Sequence, residues 1–95
     1  MPFAQQTQKP FNRLSVFPLR EEQLGVYGIF NQFGRCLYIG KGEIRKRLLE
    51  HLDGDIPCII HSLPKFFYAE SCPNDMDERE KMLIKEFNPI CNKRT

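Results

Sequence analysis

Tryptophan is absent from this sequence, and histidine occurs only twice, as His51 and His61. No apolar run approaches the ~20 residues that a membrane-spanning helix requires. The opening MPFAQQTQKPF has neither the basic start nor the apolar h-region of a signal peptide. The expectation is a cytoplasmic chain with no membrane partner. The four cysteines, Cys36, Cys58, Cys72 and Cys91, form no C-x-x-C pair, which argues against a structural zinc knuckle. Without a secretory signal, reduced and mostly buried thiols are expected. Charge of one sign is scarce too, because 14 Lys and Arg against 12 Asp and Glu leave a formal net charge of +2. That balance alone names no partner.

What is present suits one small domain. The chain has 95 residues, of which 41% are hydrophobic and 12% aromatic, enough for a compact core and too much for a disordered tail. Its charge is unevenly placed. Residues 1–20 carry Lys9, Arg13 and Arg20 and no acid, and residues 35–47 carry five bases against Glu43. Residues 53–86 are mainly acidic. One short stretch is therefore locally cationic, as a solvated helix face or an anion-binding surface would be.

Residues 1–20 are polar and without periodicity, and read as an irregular N-terminal extension onto which Phe11 or Phe17 docks. The domain proper spans residues 21–95. Leu24–Phe30 and Arg35–Ile39 are short, aromatic and β-branched, and Asn31-Gln32-Phe33-Gly34 joins them as a hairpin turn. Gly40-Lys41-Gly42 breaks the second strand. Glu43–Leu52 reads as a helix whose Ile44, Leu48 and Leu52 share a face. Residues 56–64 form either a buried helical turn or an extended connection. Lys65–Glu70 reads as a third strand. Met76–Phe87 reads as a second strong helix, capped by Asp75 with Glu78 in a capping box and ended by Asn88-Pro89. The β-β-α-β-α order implies an α+β fold, a small three-stranded, mainly antiparallel sheet flanked by helices.

Several residues stand out chemically. At about 100° per residue, Glu80 falls within the apolar arc of Met76, Leu83, Ile84 and Phe87. A carboxylate there needs a cation or hydrogen bonds, so Glu80 is either an Arg-paired buried acid or a metal ligand or catalytic acid. The GKG segment reads as a tight turn or as an anion-binding loop at a helix start, with Lys41 as a point charge. Arg47 and His51 are four apart and share one edge of their helix, either facing solvent or lining a groove. Tyr27 and Tyr38 lie one on each hairpin strand, where most tyrosines are packing residues. Cys58-x-x-His61 has no second close pair and reads as packing.

Taken in order, these residues resemble the GIY-YIG nuclease family. The pattern is Gly25-Val26-Tyr27, then Tyr38-Ile39-Gly40, then Ile44-Arg45-Lys46-Arg47-Leu48 with His51. It continues with Glu80 on the last helix and closes at Asn88-Pro89-x-x-Asn92. The resemblance runs from about Leu24 to Asn92, with Val26 in place of the family's Ile. It implies an endonuclease that hydrolyses DNA phosphodiester bonds with one divalent cation, Mg²⁺ or Mn²⁺. Tyr27 matches the candidate general base and Tyr38 a phosphate or water positioner, with His51 able to serve either role. Arg47 matches the phosphate ligand, with Arg45 as the competing choice. Glu80 matches the metal ligand and Asn92 the supporting asparagine. Lys41, Arg45, Lys46 and Arg35 complete the nucleic-acid-binding set.

The chemistry agrees with the residue types. Phosphodiester hydrolysis needs an activated water, neutralised phosphoryl oxygens and a stabilised leaving oxygen. Mg²⁺ favours oxygen ligands and keeps most of its waters, which suits a single carboxylate. A D…[DE]-x-K core is absent, and two histidines are too few for an HNH-type site. RNA stays open as a substrate beside DNA, and specificity would come from the domain, from a homodimer or from a separate DNA-targeting protein. Two alternatives stand beside the nuclease: a nucleic-acid-binding module of weak or no activity on the same fold, and an unrelated interaction domain in which Glu80 forms a buried ion pair.

Overall fold

A computed structural model describes residues 8–92. The elements, in chain order, are β1 (Lys9–Pro10), α1 (Arg13–Val16), β2 (Leu24–Asn31), β3 (Cys36–Glu43), α2 (Ile44–Leu52), α3 (Pro57–His61), β4 (Pro64–Ser71) and α4 (Met76–Phe87), followed by a 3₁₀ turn at Ile90–Asn92. The fold is α+β, and the four strands pair antiparallel in the order β1-β4-β2-β3.

This corrects the expected three-stranded sheet. The extra strand comes from the segment read as irregular, where Lys9 and Pro10 pair with Phe67 and Phe66. Proline is tolerated there because an edge strand can lose a donor without breaking a ladder. Phe11 is buried, as expected of one of the two docking candidates, whereas Phe17 is half-exposed. Asn12 caps α1 by accepting from the Ser15 amide at 2.9 Å, a short polar cap too brief to leave a periodic signature. Residues 1–7 of the expected extension lie outside the described residues.

The hairpin forms for a local reason. The Asn31 side chain accepts from the amides of Phe33 at 2.9 Å and Arg35 at 3.0 Å, and Gly34 supplies a φ of +83° that other residues rarely adopt. The register skips Leu37, so β3 carries a bulge opposite Ile29 and Phe30. The GKG segment does not break β3. Gly40, Lys41 and Gly42 pair with Tyr27, Val26 and Gly25, so their backbone belongs to the sheet and forms no anion-binding loop. Glycine is needed at position 25 because a Cβ there would lie 2.0 Å from the Glu70 carbonyl oxygen on β4.

Two apolar layers cover the two sheet faces. Tyr27, Ile29 and Leu37 pack with Ile44 and Leu48 of α2, Ile59 of α3 and Phe67. On the other face, Val26, Phe30, Cys36 and Ile39 meet Leu83 of α4. Strand alternation makes this division. A fully buried side chain such as Leu48 contributes about 1.5–3 kcal/mol.

Helix α4 keeps the expected bounds. It ends at Asn88 in the left-handed region, φ 49°, followed by Pro89. Asp75 stands at its start, but its side chain makes no capping bond, so the expected capping box does not form. Within residues 56–64 the chain forms the short helix α3, with Pro57 in its first turn, a position where the missing N–H costs nothing. Cys58 and Cys91 form a disulfide, which corrects the expectation of four reduced thiols. The fold brings residues 33 positions apart together, a proximity that spacing alone does not reveal. Cys36 and Cys72 are free.

Candidate active site

Gly40 is the floor of the site. A Cβ there would lie 2.3 Å from the Tyr27 hydroxyl and 2.9 Å from the Tyr38 ring. The missing side chain is what lets the Tyr27 phenol lie across β3. The phenol points at α2, where His51 Nε2 is 2.7 Å from its oxygen. Tyr27 and His51 are both almost wholly buried, at 1% and 2% exposure. The Tyr38 ring stands 5.0 Å from the His51 ring and 6.3 Å from the Tyr27 ring. Residue type and helix position place His51 here, since it lies one turn past Arg47 on α2.

The surroundings oppose a phenolate. Burial pushes the Tyr27 pKa far above the usual tyrosine range, Tyr38, Asp55 and Glu50 add to this, and the Arg47 charge pulls it down. Tyr27 is therefore a neutral hydroxyl. The other His51 nitrogen, Nδ1, is 2.8 Å from Asp55 Oδ1. Asp55 was missed as a site residue because the DGD run reads as a helix terminator. The available signal was its spacing, four residues after His51.

Arg47 is half-exposed on α2, with its guanidinium 3.6 Å from Glu50 and its Nε placed 3.3 Å from where a Gly42 Cβ would be. It stands at the rim of the tyrosine cluster. Arg45 points elsewhere. Its Nε donates to the Phe17 carbonyl at 3.2 Å and its guanidinium covers the Phe17 ring at 5.3 Å. Lys46 is exposed. Arg35 reaches the Asn88 carbonyl at 3.4 Å, near the end of α4.

Glu80 lies on the α4 side of the sheet. Its side chain is 22% exposed, and Oε1 is 3.4 Å from the Lys41 ammonium. Lys41 also donates to Asp77 at 2.6 Å. Hydrogen bonding to Asp77 holds the lysine above its usual pKa range, and the same contact holds Asp77 below its own. The fully buried carboxylate is a different one, Glu70 on β4. Arg79 donates to both of its oxygens at 2.7 Å, a bidentate pair. The Arg-paired buried acid envisaged for Glu80 is thus Glu70. Sequence reasoning missed it because strand and helix meet only in the fold.

Asn92 acts on the backbone. Its Oδ1 accepts from the Ile39 amide at 2.7 Å and its Nδ2 donates to the Ile39 carbonyl at 2.8 Å. This satisfies one residue of the outer edge of β3, between Tyr38 and Gly40. The structure therefore gathers Tyr27, Tyr38, His51 and Asp55, with Arg47 at the rim. It gathers Lys41, Asp77 and Glu80 separately, on the opposite sheet face. Consecutive residues Gly40 and Lys41 join the two groups.

A divalent cation needs oxygen donors and open positions. Among the described residues, no three His, Cys, Asp or Glu side chains converge on one point. The donor set fits Mg²⁺ held by one or two carboxylates and several waters. The Lys41 ammonium lies against both Asp77 and Glu80.

The chain is 33% identical over 76 residues to UvrABC system protein C of Dictyoglomus thermophilum, a match covering 75% of this chain and 13% of that protein. The chain thus spans a small part of the length of the relative it matches. No known protein-family pattern matches the chain, and no solved structure matches it. Among the described residues, no helix is long and apolar enough to cross a membrane.

Proposed function

We propose that the chain is a GIY-YIG-type endonuclease domain that hydrolyses phosphodiester bonds in DNA with one divalent cation. The observation that carries this reading is the Tyr27 hydroxyl, lying over Gly40 and 2.7 Å from His51 Nε2. It joins the two tyrosine motifs and the α2 histidine in one cluster. The similarity to UvrABC system protein C over 75% of the chain supports it from outside.

In this reading Arg47 takes the scissile phosphate at the rim, while the charge of Lys41 stays with Asp77 and Glu80 across the edge of β3. The attacking water gives a proton to the Tyr27 oxygen while the Tyr27 proton passes to His51 Nε2, so no free phenolate forms. Tyr38 orients the water or the phosphate. Glu80 would hold the cation, with Asp77 one turn away, and Asn92 keeps β3 in place. When bound, Mg²⁺ or Mn²⁺ supplies positive charge for the phosphoryl and leaving oxygens.

The second reading, a nucleic-acid-binding module with weak or no activity, is favoured by two observations. Glu80 and the tyrosine cluster lie on opposite sheet faces, and Tyr27 is 1% exposed. Cleavage of supercoiled plasmid and branched DNA with Mg²⁺, Mn²⁺ or EDTA separates the two. The nuclease reading expects metal-dependent nicking and its loss by ~10²-fold or more in Glu80→Ala, as for removal of a strong electrostatic stabiliser. Folding should be retained, because the Glu80 side chain is partly exposed. Binding without nicking in both proteins would leave the module. A Glu80→Ala variant that unfolds would instead favour the interaction-domain alternative.

A further inference from the structure

We propose that Asp55 is a positioning residue that fixes His51 as its Nδ1–H tautomer, leaving Nε2 as the acceptor for the Tyr27 proton. The inference rests on the nuclease reading for its catalytic meaning. Its structural content stands on three side chains in line. Tyr27 Oη is 2.7 Å from His51 Nε2, and His51 Nδ1 is 2.8 Å from Asp55 Oδ1.

The direction of the chain follows from what each atom can do. A neutral imidazole has one donor nitrogen and one acceptor nitrogen. An ionised carboxylate only accepts. Nδ1 must then carry the hydrogen, because its lone pair would otherwise face a carboxylate oxygen at 2.8 Å. In the neutral ring Nε2 is then left with its lone pair, so the Tyr27 hydroxyl donates. His51 is 2% exposed, so bulk water does not compete to set the tautomer. The reverse tautomer would aim an N–H at the Tyr27 oxygen and leave its proton without the His51 acceptor.

The fold supplies the geometry without a loop adjustment. His51 is in the last turn of α2, and Asp55 lies just past the helix end. The Asp55 amide donates to the Glu50 carbonyl at 3.3 Å, and Gly54, at φ +88°, makes the turn between. The turn returns the Asp55 carboxylate to the His51 ring. The Asp55 side chain is 39% exposed, so the chain runs from a buried phenol to the surface. In the reaction, the Tyr27 O–H breaks and Nε2–H forms. The resulting imidazolium is held between Asp55 and Tyr27, and Asp55 itself takes no proton.

Nitrogen NMR of the labelled full chain tests the assignment. In the wild type, His51 Nε2 should resonate as a lone-pair nitrogen and Nδ1 as a protonated one. In Asp55→Ala and Asp55→Asn, this pattern should give way to exchange between both tautomers. A wild-type Nε2–H signature, or the wild-type pattern persisting in both variants, would overturn the proposal. On plasmid nicking, the variants should lose ~10–100-fold in kcat, the range for a residue that orients another, with KM nearly unchanged. An unchanged kcat in both would also overturn it. If the wild type nicks no DNA with any metal, the nuclease reading fails, and the nitrogen signatures alone decide whether Asp55 sets the tautomer.

Discussion

Two acidic hydrogens are locked into the interior at the residue scale, and both set a limit at alkaline pH. Burial raises the Cys36 thiol from 9.0 to about 12, and burial also raises Tyr27. Between those thiol values the folded chain keeps a proton that the unfolded chain has released. Stability therefore falls as pH rises. In urea unfolding the Cys36 contribution should be constant below 9.0 and be lost steadily toward about 12. Cys36→Ala should start less stable, having lost a buried sulfur, yet decline less steeply over that window. Equal slopes would remove Cys36 as the cause. For the proposed function the consequence is that Tyr27, a phenol kept neutral by burial, would move a proton only in step with an acceptor.

Among the elements, β3 decides the geometry of the site. It contributes Tyr38, Gly40 and Lys41, and it is the edge strand next to β2. The clasp of Asn92 on Ile39 replaces part of the strand partner that β3 lacks. Asn92→Ala should cost about 1–2 kcal/mol for two net hydrogen bonds in urea unfolding, and should speed amide exchange at Ile39 specifically. Protection unchanged at Ile39 would show that water serves the edge equally well.

The same element shows what was legible in advance. The hairpin and the long helices follow from local alternation and periodicity, which each residue carries in its neighbours, whereas the tyrosines are candidates only through the family resemblance. The end of β3 does not. Gly40-Lys41-Gly42 looks like a break because glycine usually ends a strand, but here Gly40 makes room for the Tyr27 ring and Gly42 faces Arg47. Asp55 beside His51, Glu70 beside Arg79 and Cys58 beside Cys91 were hidden for a related reason. Each is a pairing formed when elements dock or a turn closes, and periodicity reports only the faces of single elements. Phe17 decides Arg45's partner in the same way, from a segment without periodicity of its own.

Across the whole molecule, one covalent closure spans the third of the chain that carries Glu80. The Cys58–Cys91 link encloses β4 and α4 in a loop of sequence separation 33. The chain-entropy argument assigns such a loop about 3–4 kcal/mol. For a domain this small that is a large part of a stability of about 5–15 kcal/mol. Thermal unfolding with and without dithiothreitol should show a clear drop in Tm on reduction, and Cys58→Ser should reproduce it. A Tm unmoved by reductant would mean that the packing of α3 against its neighbours suffices.

The double partnership of β2 bears on synthesis. On one side β2 meets β3 through a short turn, while on the other it meets β4, which follows α2 and α3 in the chain. Local pairing is quick and distant pairing slow. A growing chain therefore brings Tyr27 and Tyr38 together early, while the far side of β2 still presents unpaired amides and carbonyls along an apolar strand. Such an edge invites association with other copies. The interval before β4 arrives is when this chain is most exposed to aggregation, and its yield depends on how fast the last third of the sequence closes that edge.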